Sequence, residues 1–220
     1  MAEACTILTE SWDVNRRLAE LGLNEAMLTR AVQSGFSAWA ACTPNHPLNY
    51  PGLASWAEAI RALGEDLAPE GWTRIENFGQ PLVINRTETI ALTVSTGDEN
   101  TGRDLALQPR TKTSKGPRTI EAVQANAFLF PQMEEERLAQ IERLRNRSTW
   151  LLLMHRDLVA GEVRCELSRP VTMDVEQHID GWSERIILKS VEFEGNANVK
   201  SYDEGGPDDG EISVEIKRRR

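Results

Sequence analysis

The chain has only three cysteines, Cys5, Cys42 and Cys165, among its 220 residues. They are odd in number and widely spaced, and no Cys-x-x-Cys pair occurs, so the pattern carries neither a disulfide framework nor a zinc or dithiol redox motif. Histidine is as scarce. His46, His155 and His178 share no metal-ligand spacing, and no Gly-x-Ser-x-Gly elbow or Cys/His signature marks a nucleophile. Long apolar runs are missing too: a stretch such as Trp150 to Met154 falls far short of the about 20 residues a membrane helix requires. The first residues, Met1-Ala2-Glu3-Ala4-Cys5, place acid where a secretory leader carries positive charge. These absences predict a soluble, cytoplasmic protein with reduced thiols and no membrane partner. They assign no catalytic residue, no metal and no cofactor.

What is present is an ordinary globular composition, 40% hydrophobic and 27% charged, on a chain long enough to bury a core. The net charge of −9 argues against coating nucleic acid through bulk charge, because phosphate binding draws on clustered Lys and Arg.

Periodicity predicts helices in the first third of the chain. Trp12, Leu18 and Leu21 suit a short helix that Gly22 ends. Asn24 is a fitting N-cap for a second helix with Met27, Leu28, Ala31 and Val32 on one face, interrupted near Gly35 and continued by Phe36 and Trp39. Pro44, Pro47 and Pro51 make a loop, after which Leu53, Trp56, Ile60 and Leu63 recur at helical spacing. From Pro69 onward the signal changes to short β-branched runs, at 72–75, 81–84 and 89–94, then 150–155, 161–168, 186–193 and 212–216. Residues 97–119 read as a long loop, 132–145 as a helix, and 195–210 as an exposed acidic linker. The expectation is an α+β protein: an N-terminal three-helix region over 1–68, then a strand-rich region over 69–220, its sheet mostly antiparallel with one packed helix.

Two constellations invite chemistry. Gly97-Asp98-Glu99-Asn100-Thr101-Gly102 follows a strand and nearly has P-loop spacing, but Arg103 and Asp104 stand where the phosphate-binding Lys and Ser/Thr belong, and Asp98 and Glu99 repel phosphate. Calcium could be asked of the same loop, yet the EF-hand ligand order is absent. Further on, residues 109–119 carry Arg110, Lys112, Lys115 and Arg118 with several hydroxyls and no acid, a reversal of sign suited to phosphate contacts or to an acidic partner. Arg143, Arg145 and Arg147 could widen that patch. Against this stands the plainer reading of a solvated basic loop.

Metal-dependent nuclease chemistry needs two acids and a Lys about one metal. Asp157 with Glu162 or Glu166 supplies the acids, but Arg164 and Ser168 occupy the positions where the Lys is needed. Alternation of Glu162, Arg164 and Glu166 reads more simply as the wet face of a strand. Of the six tryptophans, most fall on predicted apolar stripes and read as core; one left outside would signal a protein partner.

The run Cys42-Thr43-Pro44-Asn45-His46-Pro47, with Trp56 to Leu63 and the later Thr96 to Gly102, resembles uncharacterised bacterial proteins carried with mobile elements. The similarity covers at most residues 24–125. It implies a bacterial setting and an accessory role in DNA conflict or phage defence, and it brings no activity. The function expected is therefore a non-enzymatic binding or scaffold subunit that engages a protein partner within a larger, nucleic-acid-handling assembly through the basic loop and the helical third. The alternatives are a metal-dependent nuclease or phosphoryl-transfer enzyme using Asp98, Glu99, Asp157, Glu162 and Glu166, and a stand-alone nucleic-acid binder using the 109–119 loop.

Overall fold

Apolar positions on a strand face alternate sides, so a run that is apolar throughout must be covered twice. Trp150–Met154 is such a run, and the strand that holds it, Ser148–Asp157, lies inside the sheet of this computed structural model, which describes residues 5–77, 79–104, 107–127 and 147–193. In chain order the elements are β1 Thr6–Leu8, α1 Ser11–Glu20, α2 Glu25–Ala40, α3 Tyr50–Leu67, β2 Thr73–Asn77, β3 Gln80–Ile84, β4 Ile90–Thr96, α4 Pro117–Ala127, β5 Ser148–Asp157, β6 Glu162–Met173, β7 Ile179–Ile187 and β8 Val191–Glu192. The strands form one sheet in the order β1-β7-β6-β5-β4-β3-β2, and β8 pairs with β6.

The sheet is mixed. β1 runs parallel to β7 and β4 parallel to β5, while the remaining pairs are antiparallel. This corrects the expected mostly antiparallel sheet. The N-terminal third also differs from a separate three-helix region. It opens with β1, which joins the sheet edge beside β7, and its packed unit is a two-helix hairpin, α2 with α3, to which ten-residue α1 is the connector. The physical reason lies in long connections: a parallel pair needs a crossover, and both crossovers here are invisible to local patterning.

Asn24 caps α2 as its residue type predicts, its Oδ1 accepting from the Met27 N–H at 3.0 Å. α2 and α3 cross closely at Gly35, where an added Cβ would sit 2.7 Å from the Ser55 carbonyl oxygen and 3.0 Å from Ala59 Cβ. Leu28, Ala31, Val32, Leu63 and Leu67 then pack with Leu92, Trp150, Leu152 and Leu167 on one sheet face. Burying one such side chain contributes about 1.5–3 kcal/mol, so this layer supplies most of the apolar stabilisation. α1 reaches the same layer through Val14 and Leu18, and its Arg17 makes a two-point bond to Glu184 of β7, at 2.6 and 2.9 Å.

The opposite face is covered by α4, whose Val123 packs with Leu151, Leu153, Ile179 and Trp182. Asn126 fastens that helix, donating to the carbonyls of Thr149 and Pro170 at 3.0 Å each and accepting from the Thr149 N–H at 3.1 Å. The helix expected over 132–145, the acidic linker of 195–210 and the strand expected over 212–216 lie outside the described residues. Among the described residues no helix is long and apolar enough to cross a membrane.

Candidate functional site

Residues 97–104 and 107–116 do not form a free loop. They are strapped across the ends of β4, β6 and β7 by backbone bonds: Gly97 bridges Thr111, the Lys112 N–H donates to the Thr96 carbonyl at 3.0 Å, and the Thr111 N–H to that of Ile179 at 3.0 Å. Trp182 Nε1 donates to the Pro109 carbonyl at 2.7 Å, and the Lys115 N–H to the Gln177 carbonyl at 2.9 Å.

Beneath the strap lies a polar core. Glu166 and Arg185, both fully buried on adjacent strands, form a two-point ion pair at 2.9 and 2.7 Å. The same carboxylate accepts from Ser168 Oγ at 2.7 Å and from the Gly102 N–H at 2.7 Å, and Arg185 Nη2 donates to the Arg103 carbonyl at 3.0 Å. Arg164, 7% exposed, donates to the carbonyls of Thr101 and Glu99 and to Asp157 Oδ2 at 2.6 Å. Arg164 and Glu166 are thus not on a wet strand face, while Glu162 at its end stays part-exposed, 3.8 Å from Arg164. Their face is covered by the strap, whose composition gives no periodic sign that it covers anything.

This geometry decides the phosphate question. In a phosphate cradle, successive N–H groups face the anion. Here the Gly102 N–H already faces a protein carboxylate, and the Asn100 N–H donates to Asp98 Oδ1 at 3.0 Å within the turn. Gly102 has φ +70, and an added Cβ would lie 2.9 Å from Arg164 Cβ, so its glycine serves a left-handed turn pressed onto β6.

The basic residues have partners of their own. Arg110 donates to Asp174 at 2.7 Å and to Glu176 at 2.6 Å on the β6–β7 turn. Lys115 Nζ donates to Ser95 Oγ at 2.9 Å and Thr113 Oγ1 at 3.0 Å, partly buried. Lys112 is exposed, on the side of the strap where its charge helps lower the His155 pKa. Arg118 falls in the first turn of α4, its side chain outside the described residues. Arg147 pairs with Glu88 at 3.2 Å, and Arg143 and Arg145 lie outside the described residues. The structure therefore brings Arg110 and Lys115 onto one strap but sets two carboxylates against the first.

Of the acids offered for metal chemistry, Asp157 and Glu162 meet on Arg164 Nη1, at 2.6 and 3.8 Å, and the other three do not join them. Glu166 is buried against Arg185, Glu99 is exposed, Asp98 closes its own turn, and Asp157 binds the Ala160 N–H at 2.9 Å and Arg164. The Ala160 N–H first, then the Arg164 guanidinium, hold the Asp157 carboxyl below its ordinary range. Among the described residues no group of three or more His, Cys, Asp or Glu side chains is placed to hold a metal ion. Burial pushes His155 below the ordinary histidine value, although the Gly97 carbonyl 3.3 Å from its Nδ1 opposes this. His178 Nδ1 lies 2.6 Å from the Thr111 carbonyl and so ties β7 to the strap. Burial pushes the Cys165 thiol up to about 12, which leaves it inert at neutral pH.

Exposed apolar side chains occur at the strap and its neighbouring turn, Leu107 and Val175, and also away from it. Trp150, Trp182, Trp72 and Trp39 are core as their stripes predict, but Trp12 is 77% exposed and Trp56 half-buried. At the entry to α3, Leu48, Tyr50 and Leu53 are 83%, 41% and 44% exposed, and the His46 ring stacks on Tyr50 with centroids 4.8 Å apart. Along the same helix a groove of about 520 Å³ runs between α3 and β2, lined by Trp56, Ile60, Arg61, Gly64, Trp72 and Arg74 among others. Residue type alone marked Trp56 but not the groove, because Gly64 and Arg74 meet only in three dimensions. No protein-family model, no curated protein and no solved structure matches the chain.

Proposed function

We propose that the protein is a non-enzymatic binding subunit that engages a protein partner through its helical third. The observation that carries this reading is the exposure of Leu48, Tyr50 and Leu53 together at the start of α3. Single exposed apolar side chains are ordinary, but neighbouring ones with an aromatic member resemble the anchors that dominate interfaces. The resemblance of residues 42–63 and 96–102 to bacterial proteins carried with mobile elements supports extending the proposal to an accessory role in a nucleic-acid-handling or phage-defence assembly.

The strap supports this reading rather than an enzymatic one, since Arg110 is engaged with Asp174 and Glu176, Lys115 with Ser95 and Thr113, and the Gly102 N–H with Glu166, contacts that hold loop to sheet. A role for Arg110, Lys112, Lys115 and Arg118 in binding a partner or nucleic acid is the weaker part of the proposal, because Asp174 and Glu176 beside Arg110 repel phosphate. Affinity capture of the tagged chain from its host cell, wild type against a Leu48→Ser, Leu53→Asp variant, tests the proposal. The expected result is a stoichiometric partner with wild type that the variant loses; recovery of the wild-type chain alone defeats it.

A further inference from the structure

We infer that the groove between α3 and β2 receives an extended segment of the partner, which adds as a strand to the outer edge of β2, inserts an apolar side chain over Gly64 and brings a carboxylate to Arg74. This deepens the binding-subunit reading and rests on it.

Three independent features meet there. Among the described residues β2 is the last strand of the sheet and pairs with β3 alone, which leaves its outer N–H and C=O groups without a strand partner there. A strand added beyond it sends alternate side chains toward α3, the side on which Arg74 and its register partner Val83 lie closest to Gly64. Gly64 is the second feature. An added Cβ would meet Arg74 Cβ at 3.8 Å and Val83 Cγ2 at 3.9 Å, ordinary contacts, so the chain's own packing does not demand glycine inside this helix. Its effect is to open the groove floor between Trp56 and Trp72. Charge is the third. Two guanidiniums, Arg61 and Arg74, and one carboxylate, Glu65, line the groove of a chain whose net charge is −9. Arg74 is held by Glu76, and Arg61 by Glu58 and by Glu65 of the groove itself, all in part-exposed pairs, so an incoming carboxylate binds here by exchange with one of these glutamates. Open backbone for affinity beside a side-chain pocket for specificity is the arrangement of strand addition.

Panning a phage-displayed random heptapeptide library on the full chain, then titrating the enriched peptide with a fluorescein label by anisotropy, tests this. Enriched peptides should carry an apolar residue with an acid two positions away. Gly64→Leu should weaken their binding by about tenfold or more, whereas Gly64→Ala, with a much smaller side chain, should keep it within about threefold. Arg74→Glu should weaken acid-bearing peptides while leaving the melting temperature close to wild type. Enriched peptides that bind Gly64→Leu like wild type, with that variant folded by circular dichroism, overturn the inference, as does a library that yields no enrichment. If Gly64→Leu still captures the cellular partner, the groove is wrong and the binding-subunit reading survives; if wild type captures none, that reading fails itself.

Discussion

Glu166→Ala removes one half of an ion pair whose two side chains are both fully buried. It strands the Arg185 guanidinium without its carboxylate and deprives the Gly102 N–H and the Ser168 hydroxyl of their acceptor. Breaking a buried pair from one side costs about 3–5 kcal/mol, against a total domain stability of about 5–15 kcal/mol. For a chain of this size the melting temperature should fall by about 6–20 °C. The pair is shielded from solvent, so the loss should be nearly the same in 0.05 and 0.5 M salt, on the order of a factor of ten in ionic strength. The paired replacement Glu166→Leu with Arg185→Met should cost less than the sum of the single changes, because no charge is left alone. It should still fall below wild type, since the Gly102 N–H and the Arg103 carbonyl each lose a partner at about 1–3 kcal/mol. Urea unfolding of Glu166→Ala, the double variant and its two single changes reads all of this. A loss below about 1 kcal/mol for Glu166→Ala, the value of an exposed pair, would refute the buried-latch reasoning.

Other outcomes follow from the same contacts. Gly35→Ala should lower stability, because the gain in helix propensity of up to about 1 kcal/mol is outweighed by a Cβ forced against the Ser55 carbonyl, while Gly64→Ala should raise it; paired thermal melts distinguish the two. His155 has a folded pKa below its unfolded value, so the unfolded chain binds more protons as pH falls through and below the ordinary histidine range, and stability should decline there; His155→Gln should flatten that part of the pH–stability curve. Asp157 is likewise lowered, so its contribution is present above the ordinary carboxylate range and lost as pH drops through it, a slope that Asp157→Asn should reduce. Cys165 should resist thiol reagents in the native protein and react on unfolding, and mass spectrometry after timed labelling checks it.

Local pattern made the strands β3, β4 and β5 legible, because short β-branched or apolar runs bounded by turn residues have few other readings. It also marked the Asn24 cap and apolar stripe of α2, and on α3 the buried Ile60 and Leu63, though Leu53 of the same stripe is exposed. β1 escaped notice since Thr6–Leu8 is too short to show a period, and α4 since its apolar positions are few, Ile120 and Val123 among polar neighbours. The site was harder. Period-two alternation showed that Glu162, Arg164 and Glu166 share a face, but whether that face meets water depends on what crosses it. The strap that crosses it is held by bonds between side chain and backbone of residues far apart in sequence, Trp182 Nε1 to the Pro109 carbonyl and the Gly102 N–H to the Glu166 carboxylate, and such pairings leave no local signature. The groove was hidden for the same reason, because it exists only where α3 passes β2.

Hydrogen–deuterium exchange on the full chain, with and without its captured partner, locates the partner's contact. Added protection is expected in 48–64 and 72–77, the α3 entry and the β2 edge, with little change in 97–104 and 107–116, which the strap bonds already protect. Protection confined to 97–104 and 107–116 would contradict this placement and return the contact to the basic residues of the strap.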